Sequence, residues 1–311
     1  MAATPIAVVV ATRNRGAKLV PLLDSILAND VAEFELVIVD QSTLDDTADA
    51  VQPFLADPRI RYVRSSSVGL SCARNEGIAL TSAPIVAITD DDCIVPRNWL
   101  SGMAAPFDNH ARVGMVFCTV EAVPVDKPGL TPAIIFPHDQ ILRSPLSSWK
   151  WSVGGLNLGA GMAVRRSTFD ELIGFDELLG AGARFGSCED NDMSWRGLIA
   201  GWWTYQLAGV VVMHDGFRDL DELRELVKRD FFGVGGAIAK YLRTGRWGIT
   251  WFMIGWLVRF GVVDPARDVL AGRKPTGFRR PYMLLRGLLA GLKTPMDRTN
   301  RLYVANSHRA S

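Results

Sequence analysis

Cysteine is scarce in this chain of 311 residues: Cys72, Cys93, Cys118 and Cys188 stand far apart, with no CxxC spacing. That excludes a disulfide framework and a cysteine-based zinc knuckle, and it predicts a reducing compartment. Long hydrophobic runs are missing too. The most apolar stretch, RWGITWFMIGWLVR at 246–259, holds 12 residues between its arginines, whereas a membrane-spanning helix needs about 20. The opening MAATPIAVVVATRNR has no basic residue ahead of its short apolar run, so no secretory leader is expected. There is no GxxxxGKS, and no GxGxxG follows the first apolar run, which excludes a P-loop and a dinucleotide fingerprint. Internal repeats and low-complexity tracts are absent.

What the chain has is length and a lopsided charge. With 48% hydrophobic residues it supports a substantial core, in one large domain with an appendage or in two domains. The formal net charge of +1 hides an asymmetry: residues 1–218 carry 17 Lys and Arg against 25 Asp and Glu, and residues 219–311 carry 17 against 8. Two functionally different parts are implied.

PIAVVVAT (5–12), FELVIVDQST (34–43), IRYVRS (60–65) and PIVAITDDD (84–92) read as strands, the first suiting a strand buried on both faces. Between them, GAKLVPLLDSILAND (16–30), LDDTADAVQPFLAD (44–57) and SCARNEGIALTSA (71–83) read as helices, the last with Ser71 as N-cap. Alternating strands and helices predict an α/β fold, a mainly parallel sheet with helices on both faces. Ligands of such sheets gather at the carboxyl ends of the strands. Thr12, Asp40 and the triplet Asp90, Asp91 and Asp92 all fall at those ends. Further on, VGMVFCTVEAVP (113–124) predicts a strand and 125–150 a long loop rich in Pro and Ser. GSCEDNDMSWRGLIAGW (186–202) predicts a loop entering a helix, with Glu189 and Asp190 in a first turn whose dipole stabilises carboxylates.

Taken singly, each of these residues has a plain structural reading. A triple Asp serves as a solvated turn, Asp40 as a turn residue and His214 as a structural histidine. Asp192 pairs with Arg196 at i,i+4 on an ordinary helix. Arg165–Arg166 is as readily a solvated basic pair as a ligand contact. Their occurrence together and in order is what points to a site.

VVVATRNR, LVIVDQST, GLSCARNEGI, AITDDDCIVP, GAGMAVRR, GSCEDNDMSWRGLIAGW and VVVMHDG, in that order over roughly residues 5–216, resemble the family 2 glycosyltransferases with the GT-A fold. The resemblance implies a sugar moved with inversion from a nucleoside-diphosphate sugar to a hydroxyl, with a UDP-sugar favoured over GDP- or dTDP-sugars. It makes 1–218 a GT-A catalytic domain, with a nucleotide-sugar half over about 1–100 and an acceptor half over about 101–218. It places Mn²⁺ or Mg²⁺ on Asp92, with Asp90 and Asp91 supporting metal and ribose and His214 completing the metal shell. Thr12, Arg13 and Arg15 would line the nucleotide pocket, Asp40 would read the base, and Arg74 would lie near base and phosphates. Glu189–Asp190 matches the acceptor-activating pair, with Asp190 as general base. Carboxylates and diphosphate oxygens suit a hard cation, and an imidazole in the shell leans toward Mn²⁺. Two departures stand out. Cys188 occupies a position where Gly or a similarly small residue is usual. The QxxRW motif of processive synthases is missing, since Arg196 is followed by Gly197, and non-processive transfer is implied.

DLDELRELVKRDFF (219–232) predicts an amphipathic helix with a capping box from Asp219 and Glu222 and a stripe of Leu220, Leu223, Leu226, Val227 and Phe231. Residues 236–311 carry 14 Lys and Arg against 3 Asp and Glu, and Trp247, Trp251 and Trp256 stand among arginines. RRPYMLLRGLLAGLK (279–293) repeats that composition. Such an α-helical basic region suits helices lying in the headgroup layer of an anionic membrane, or a bundle packed on the catalytic domain. The first reading predicts an enzyme peripheral to the inner face of the plasma membrane, acting on a lipid-linked, polysaccharide or other cell-envelope acceptor. Two rivals are weaker. A nucleotidyltransferase of similar fold wants a Gly/Arg/Lys-rich phosphate loop that VVVATRNRG matches poorly. A nucleic-acid-binding module would use the basic region, but the acidic first part repels phosphates, so no nucleic-acid partner is expected.

Overall fold

The computed structural model describes residues 4–144, 157–272 and 278–305. Within them one sheet is built from β1 (Ile6–Thr12), β2 (Glu35–Asp40), β3 (Ile60–Arg64), β4 (Ile85–Asp90), β5 (Cys93–Ile94), β6 (Val113–Ala122), β7 (Gln140–Leu142), β8 (Met162–Arg165) and β9 (Trp203–His214). The strand order is 3-2-1-4-8-6-9-5, with β7 also paired to β9. The first four strands are parallel, as their alternation with helices predicts. Beyond them β8 runs antiparallel to both β4 and β6, and β6 and β9 are parallel again. All seven residues of β1 are buried, which is what its unbroken β-branched run requires. Thr12 pairs with Asp40, Asp40 with Arg64, and Ala11 with Asp90, so the carboxyl ends of these strands finish level.

Helices α1 (Val20–Leu27), α2 (Asp46–Val51), α3 (Leu70–Ala79), α4 (Trp99–Asn109), α5 (Arg166–Glu171) and α6 (Glu189–Ala200) fill the connections. Three details differ from expectation. The helix over 44–57 is cut to α2 and a 3₁₀ turn, because Pro53 has no N–H to continue the α pattern. Ser71 is not an N-cap: Gly69, at φ 109, precedes α3, and the Ser71 hydroxyl donates to the Leu179 carbonyl at 2.8 Å. The loop expected over 125–150 contains β7, and its last part, 145–150, lies outside the described residues.

The basic region is helical: α7 (Leu220–Arg243), α8 (Trp247–Val258), α9 (Asp264–Leu270) and α10 (Arg279–Lys293). The capping box of Asp219 and Glu222 forms as predicted. However, α7 runs 11 residues past Phe232 through a glycine run that reads like a breaker. Those glycines serve packing: a Cβ on Gly235 would lie 2.1 Å from the Leu284 carbonyl oxygen, and one on Gly287 would lie 2.0 Å from that of Phe232. Backbones of α7 and α10 therefore meet directly. The expected stripe is only partly covered, since Leu220 is exposed, and the deepest burial falls at 233–241. As in the second of the two readings offered, 219–311 packs on the rest of the chain: Leu179, Phe185 and Trp195 share one core with Val234, Ile238 and Tyr241. Of the three tryptophans, Trp256 is buried in that core and Trp251 is exposed, while the side chain of Trp247 lies outside what is described. No helix among the described residues is long and apolar enough to cross a membrane.

The two parts are also tied by charge. Lys240 of α7, fully buried, holds Asp176 and Asp192 at 2.7 Å each, and Asp192 also accepts from Arg196 at 2.9 Å and Tyr241 at 2.8 Å. Burial works to raise the Asp192 carboxyl, yet the charges of Lys240 and Arg196 hold it below the usual carboxylate range. Lys240→Met should leave two buried carboxylates short of a cation and cost about 3–5 kcal/mol. Urea unfolding measures this, and a loss below about 1 kcal/mol would show that the ion cluster contributes little.

Candidate active site

A cleft of about 470 Å³ opens at the level where the parallel strands end. Its walls come from the turn after β1, the triplet after β4, the start of α6, His214 at the end of β9, and α7. Each of these is positioned by identifiable bonds.

The turn Arg13–Asn14–Arg15 reverses sharply, with Asn14 at φ 55, a left-handed conformation that Asn tolerates better than most side chains. The Asn14 N–H donates to Ser42 at 2.6 Å and the Arg15 N–H to Thr47 at 3.2 Å, pinning the turn over β2. Thus aimed, Arg15 donates to Asp91 and to Asp92, both at 2.8 Å. Burial pushes the Asp91 carboxyl up to about 6, against the pull of Arg15. Burial also works to raise Asp92, but the hydrogen bond and charge of His214, with Arg15, outweigh it and hold this carboxyl below the usual range. Thr12 and Arg13 line the same wall.

His214 is placed by β5–β9 pairing, which sets it opposite Cys93. Its Nδ1 is 2.8 Å from the Pro132 carbonyl, which can only accept, so Nδ1 carries a proton and Nε2 faces Asp92 at 3.1 Å. Burial lowers the imidazole's affinity for a second proton, but Asp92 outweighs that and raises it. Ligand atoms of Asp92, Cys93 and His214 lie within 4.8 Å of one another. Burial pushes the Cys93 thiol well above its ordinary value, which leaves it a protonated, poor ligand. The carboxylate and the imidazole remain. An imidazole whose far nitrogen is anchored on a carbonyl is how proteins orient a histidine toward a divalent cation. This donor set fits Mn²⁺ or Mg²⁺.

Across the cleft, Arg74 is completely buried and joins two motifs, donating to Asp90 at 2.8 Å and to Glu189 at 3.0 Å. Gly159 makes room for it, since a Cβ there would lie 2.9 Å from both terminal guanidinium nitrogens. The Gly159 N–H donates to Asp190 at 2.8 Å, and the other Asp190 oxygen accepts from the Asn191 backbone and side chain at 2.6 and 2.7 Å. Burial, with Glu189 adjacent, pushes the Asp190 carboxyl up to about 7. Glu189 is likewise raised by burial, with Arg74 opposing. Cys188 adopts φ 77, the left-handed region where glycine carries no steric penalty, which gives a backbone reason for the small residue expected there.

Most expected site residues thus meet in one cleft: Thr12, Arg13, Arg15, Arg74, Asp90–Asp92, Glu189, Asp190 and His214. Asp40 does not. Its carboxylate is fully buried, accepting from the Ser42 N–H at 2.8 Å and the Tyr62 hydroxyl at 2.6 Å, and it reaches the cleft only through Ser42 and the Asn14 turn. Arg165 and Arg166 are elsewhere too, capping the carbonyls of Phe107 and Val113 and of Ala83. Conversely, Leu226, Arg229 and Asp230 of α7 line the cleft, although they read as one flank of an amphipathic helix. Only the helix's long packing explains their place, and no local motif signals it.

The chain matches the model of glycosyl transferase family 2 over residues 7–173. It is 32% identical over 115 residues to validoxylamine A glucosyltransferase of Streptomyces hygroscopicus subsp. jinggangensis, covering 36% of this chain and 27% of that one. It is 30% identical over 120 residues to the PGL/p-HBAD biosynthesis glycosyltransferase of Mycobacterium tuberculosis, covering 38% and 47%. The matched region thus spans less than half of these relatives. Among solved structures, the mannosyltransferase PcManGT of Pyrobaculum calidifontis, bound to GDP-Man and Mn²⁺, superposes with a TM-score of 0.63 at 18% identity, covering 94% of this chain and 88% of that one. TarS of S. aureus with UDP-GlcNAc gives 0.54 at 18% identity, covering 76% and 71%. These likenesses show a shared GT-A fold.

Proposed function

This chain belongs to glycosyl transferase family 2, and from that premise we propose that its cleft transfers a sugar, with inversion, from a nucleoside-diphosphate sugar to an acceptor hydroxyl. The observation that carries the reading is the convergence, in one cleft, of the Asp92–His214 pair with Asp190 on the facing wall. Asp92 and His214, with Asp90 nearby, would hold a divalent cation. When bound, such a cation acts as a Lewis acid on the leaving diphosphate.

The rest is the chain's own chemistry. Arg13 and Arg15 supply positive charge where diphosphate oxygens would lie. Arg74 fixes Asp90 and Glu189 in mutual register across the cleft. Asp190 takes the acceptor's proton as the acceptor oxygen bonds the anomeric carbon and the bond from that carbon to the diphosphate breaks. One displacement assisted by one base inverts the anomeric centre. Asp40 acts at one remove, holding Ser42 and through it the Asn14 turn. The donor is a UDP-sugar in the first instance, with GDP- and dTDP-sugars as the other candidates. The bound sugar nucleotides of PcManGT and TarS support this class of donor. We assign the acceptor to lipid-linked or cell-envelope glycans and the enzyme to the inner face of the plasma membrane. The basic region supports that assignment.

A donor screen reading release of nucleoside diphosphate, run with Mn²⁺, with Mg²⁺ and with chelator, tests the reading. Metal-dependent release from at least one sugar nucleotide is expected. Release from none, or equal release with chelator, would overturn it. The pH dependence adds a second check. A base must be unprotonated to act, and Asp190 is pushed up to about 7. Hence kcat/KM should be low at pH 5 and rise through a midpoint near 7. A profile flat from pH 5 to 8 would contradict this role for Asp190.

A further inference from the structure

We propose that the outer face of α8 and α9 docks on an anionic lipid bilayer, its groove taking a lipid hydrocarbon chain and Arg259 and Arg267 taking the anionic head. The inference rests on the membrane part of the reading above, and it names the surface and the ligand chemistry.

The groove has a volume of about 520 Å³ and is lined by Trp251, Ile254, Gly255, Val258, Arg259 and Arg267. Exposed apolar side chains recur along α8 and the turn after it at Trp251, Ile254, Val258 and Val262, which is the spacing of one helix face. On α9, Val269 and Leu270 are exposed, Leu270 to 87%. The other side of α8 is already satisfied, because Trp256 and Phe260 pack on Phe231 at ring-centroid distances of 5.2 and 5.0 Å. The same division occurs on α10. Leu284, Gly287, Leu288 and Gly291 are buried, while Tyr282, Leu285, Leu289 and Leu292 are exposed. Each helix thus has an inward face that completes the core and a second apolar face that water does not compensate.

Charge selects the occupant. From Trp247 to Lys293 the described residues carry Arg259, Arg267, Arg279, Arg280, Arg286 and Lys293 against Asp264 and Asp268, so the same face of a second copy would bring like charge onto like charge. Anionic headgroups complement it. Arg259 has Asp264 only at 3.8 Å, and Arg267 has no carboxylate partner among the described residues. Exposed Trp251 beside these arginines suits the polar–apolar boundary of a bilayer. A single helix separates this surface from the cleft. Leu226, Arg229 and Asp230 of α7 line the cleft, and the next residue, Phe231, packs on Trp256 and Phe260. Docking would hold the cleft about one helix diameter, ~10 Å, from the headgroups, where an amphiphilic acceptor presents its hydroxyl.

The test uses the full chain and vesicles of phosphatidylcholine with and without phosphatidylglycerol. Wild type should co-sediment only with the anionic vesicles, and less at high salt. Trp251→Glu with Val258→Glu, both at exposed positions, and Arg259→Gln with Arg267→Gln should each weaken that binding about tenfold or more. Millimolar inorganic phosphate should not displace the protein. Pelleting unchanged by both variants, displacement by phosphate, or a dimer that Trp251→Glu with Val258→Glu converts to monomer would each overturn the proposal. Nucleoside-diphosphate release, read in parallel, keeps the two readings apart. Vesicle binding without release would sink the reaction and leave the surface standing, and release without vesicle binding would do the reverse.

Discussion

Asp190→Asn is expected to leave metal and donor binding intact while slowing sugar transfer by about 10²–10⁴-fold. The amide is nearly isosteric, and its oxygen still accepts from Asn191, but it cannot take a proton. One hydrogen bond is lost as well, because the new NH₂ group would face the Gly159 N–H that now donates at 2.8 Å. Leaving that donor unmet lowers stability by about 1–3 kcal/mol, visible as a lower Tm without loss of folding. Single-turnover transfer and calorimetric donor affinity, measured on the same sample, separate the two effects. The rise of kcat/KM with pH should disappear in the variant. Transfer within about threefold of wild type would move the base elsewhere. Asp192 is then a poor alternative, since Lys240 and Arg196 already engage it, and Glu189 becomes the candidate.

The strands were legible because a run such as IAVVVAT suits only a strand buried on both faces. The triplet was legible because three carboxylates at the end of such a run need a nearby cation, and Arg15 supplies one. Long-range partners were not legible. Asp40 stands at a strand end like a ligand-facing residue, but Tyr62, 22 residues away on β3, takes its carboxylate inward. Arg165 and Arg166 look free in sequence and are spent on backbone carbonyls more than 50 residues distant. The glycine run of α7 hid the helix's continuation past Phe232, since local propensity disfavours glycine while close contact with α10 demands it. The cleft's α7 wall went unread for another reason: Leu226, Arg229 and Asp230 lie in the helix expected over 219–232, but only long-range packing brings them to the cleft. Packing of 219–311 on the catalytic part, one of the two readings offered for the region, rests on apolar contacts such as Phe185 with Phe232, and Lys240 reaching two carboxylates adds a tie that no local pattern announces.

Asp92→Ala should abolish the metal dependence of donor binding without unfolding the chain. Asp92 is the residue on which the site converges, accepting from Arg15 at 2.8 Å and lying 3.1 Å from His214 Nε2. Without it, Arg15 retains Asp91, and His214 retains only its Pro132 contact. His214 with Asp90, a carboxylate that Arg74 already engages, holds Mn²⁺ or Mg²⁺ weakly, because these cations favour several oxygen ligands. Donor affinity should therefore drop to whatever the arginines provide. The deciding measurement is a calorimetric titration of UDP, GDP and dTDP into wild type and Asp92→Ala, each with Mn²⁺ and with chelator. Wild type is expected to bind at least one of them far more tightly with Mn²⁺, and the variant to bind it equally weakly in both conditions. Wild-type affinity indifferent to chelator, or a variant that keeps the full Mn²⁺ enhancement, would contradict that expectation.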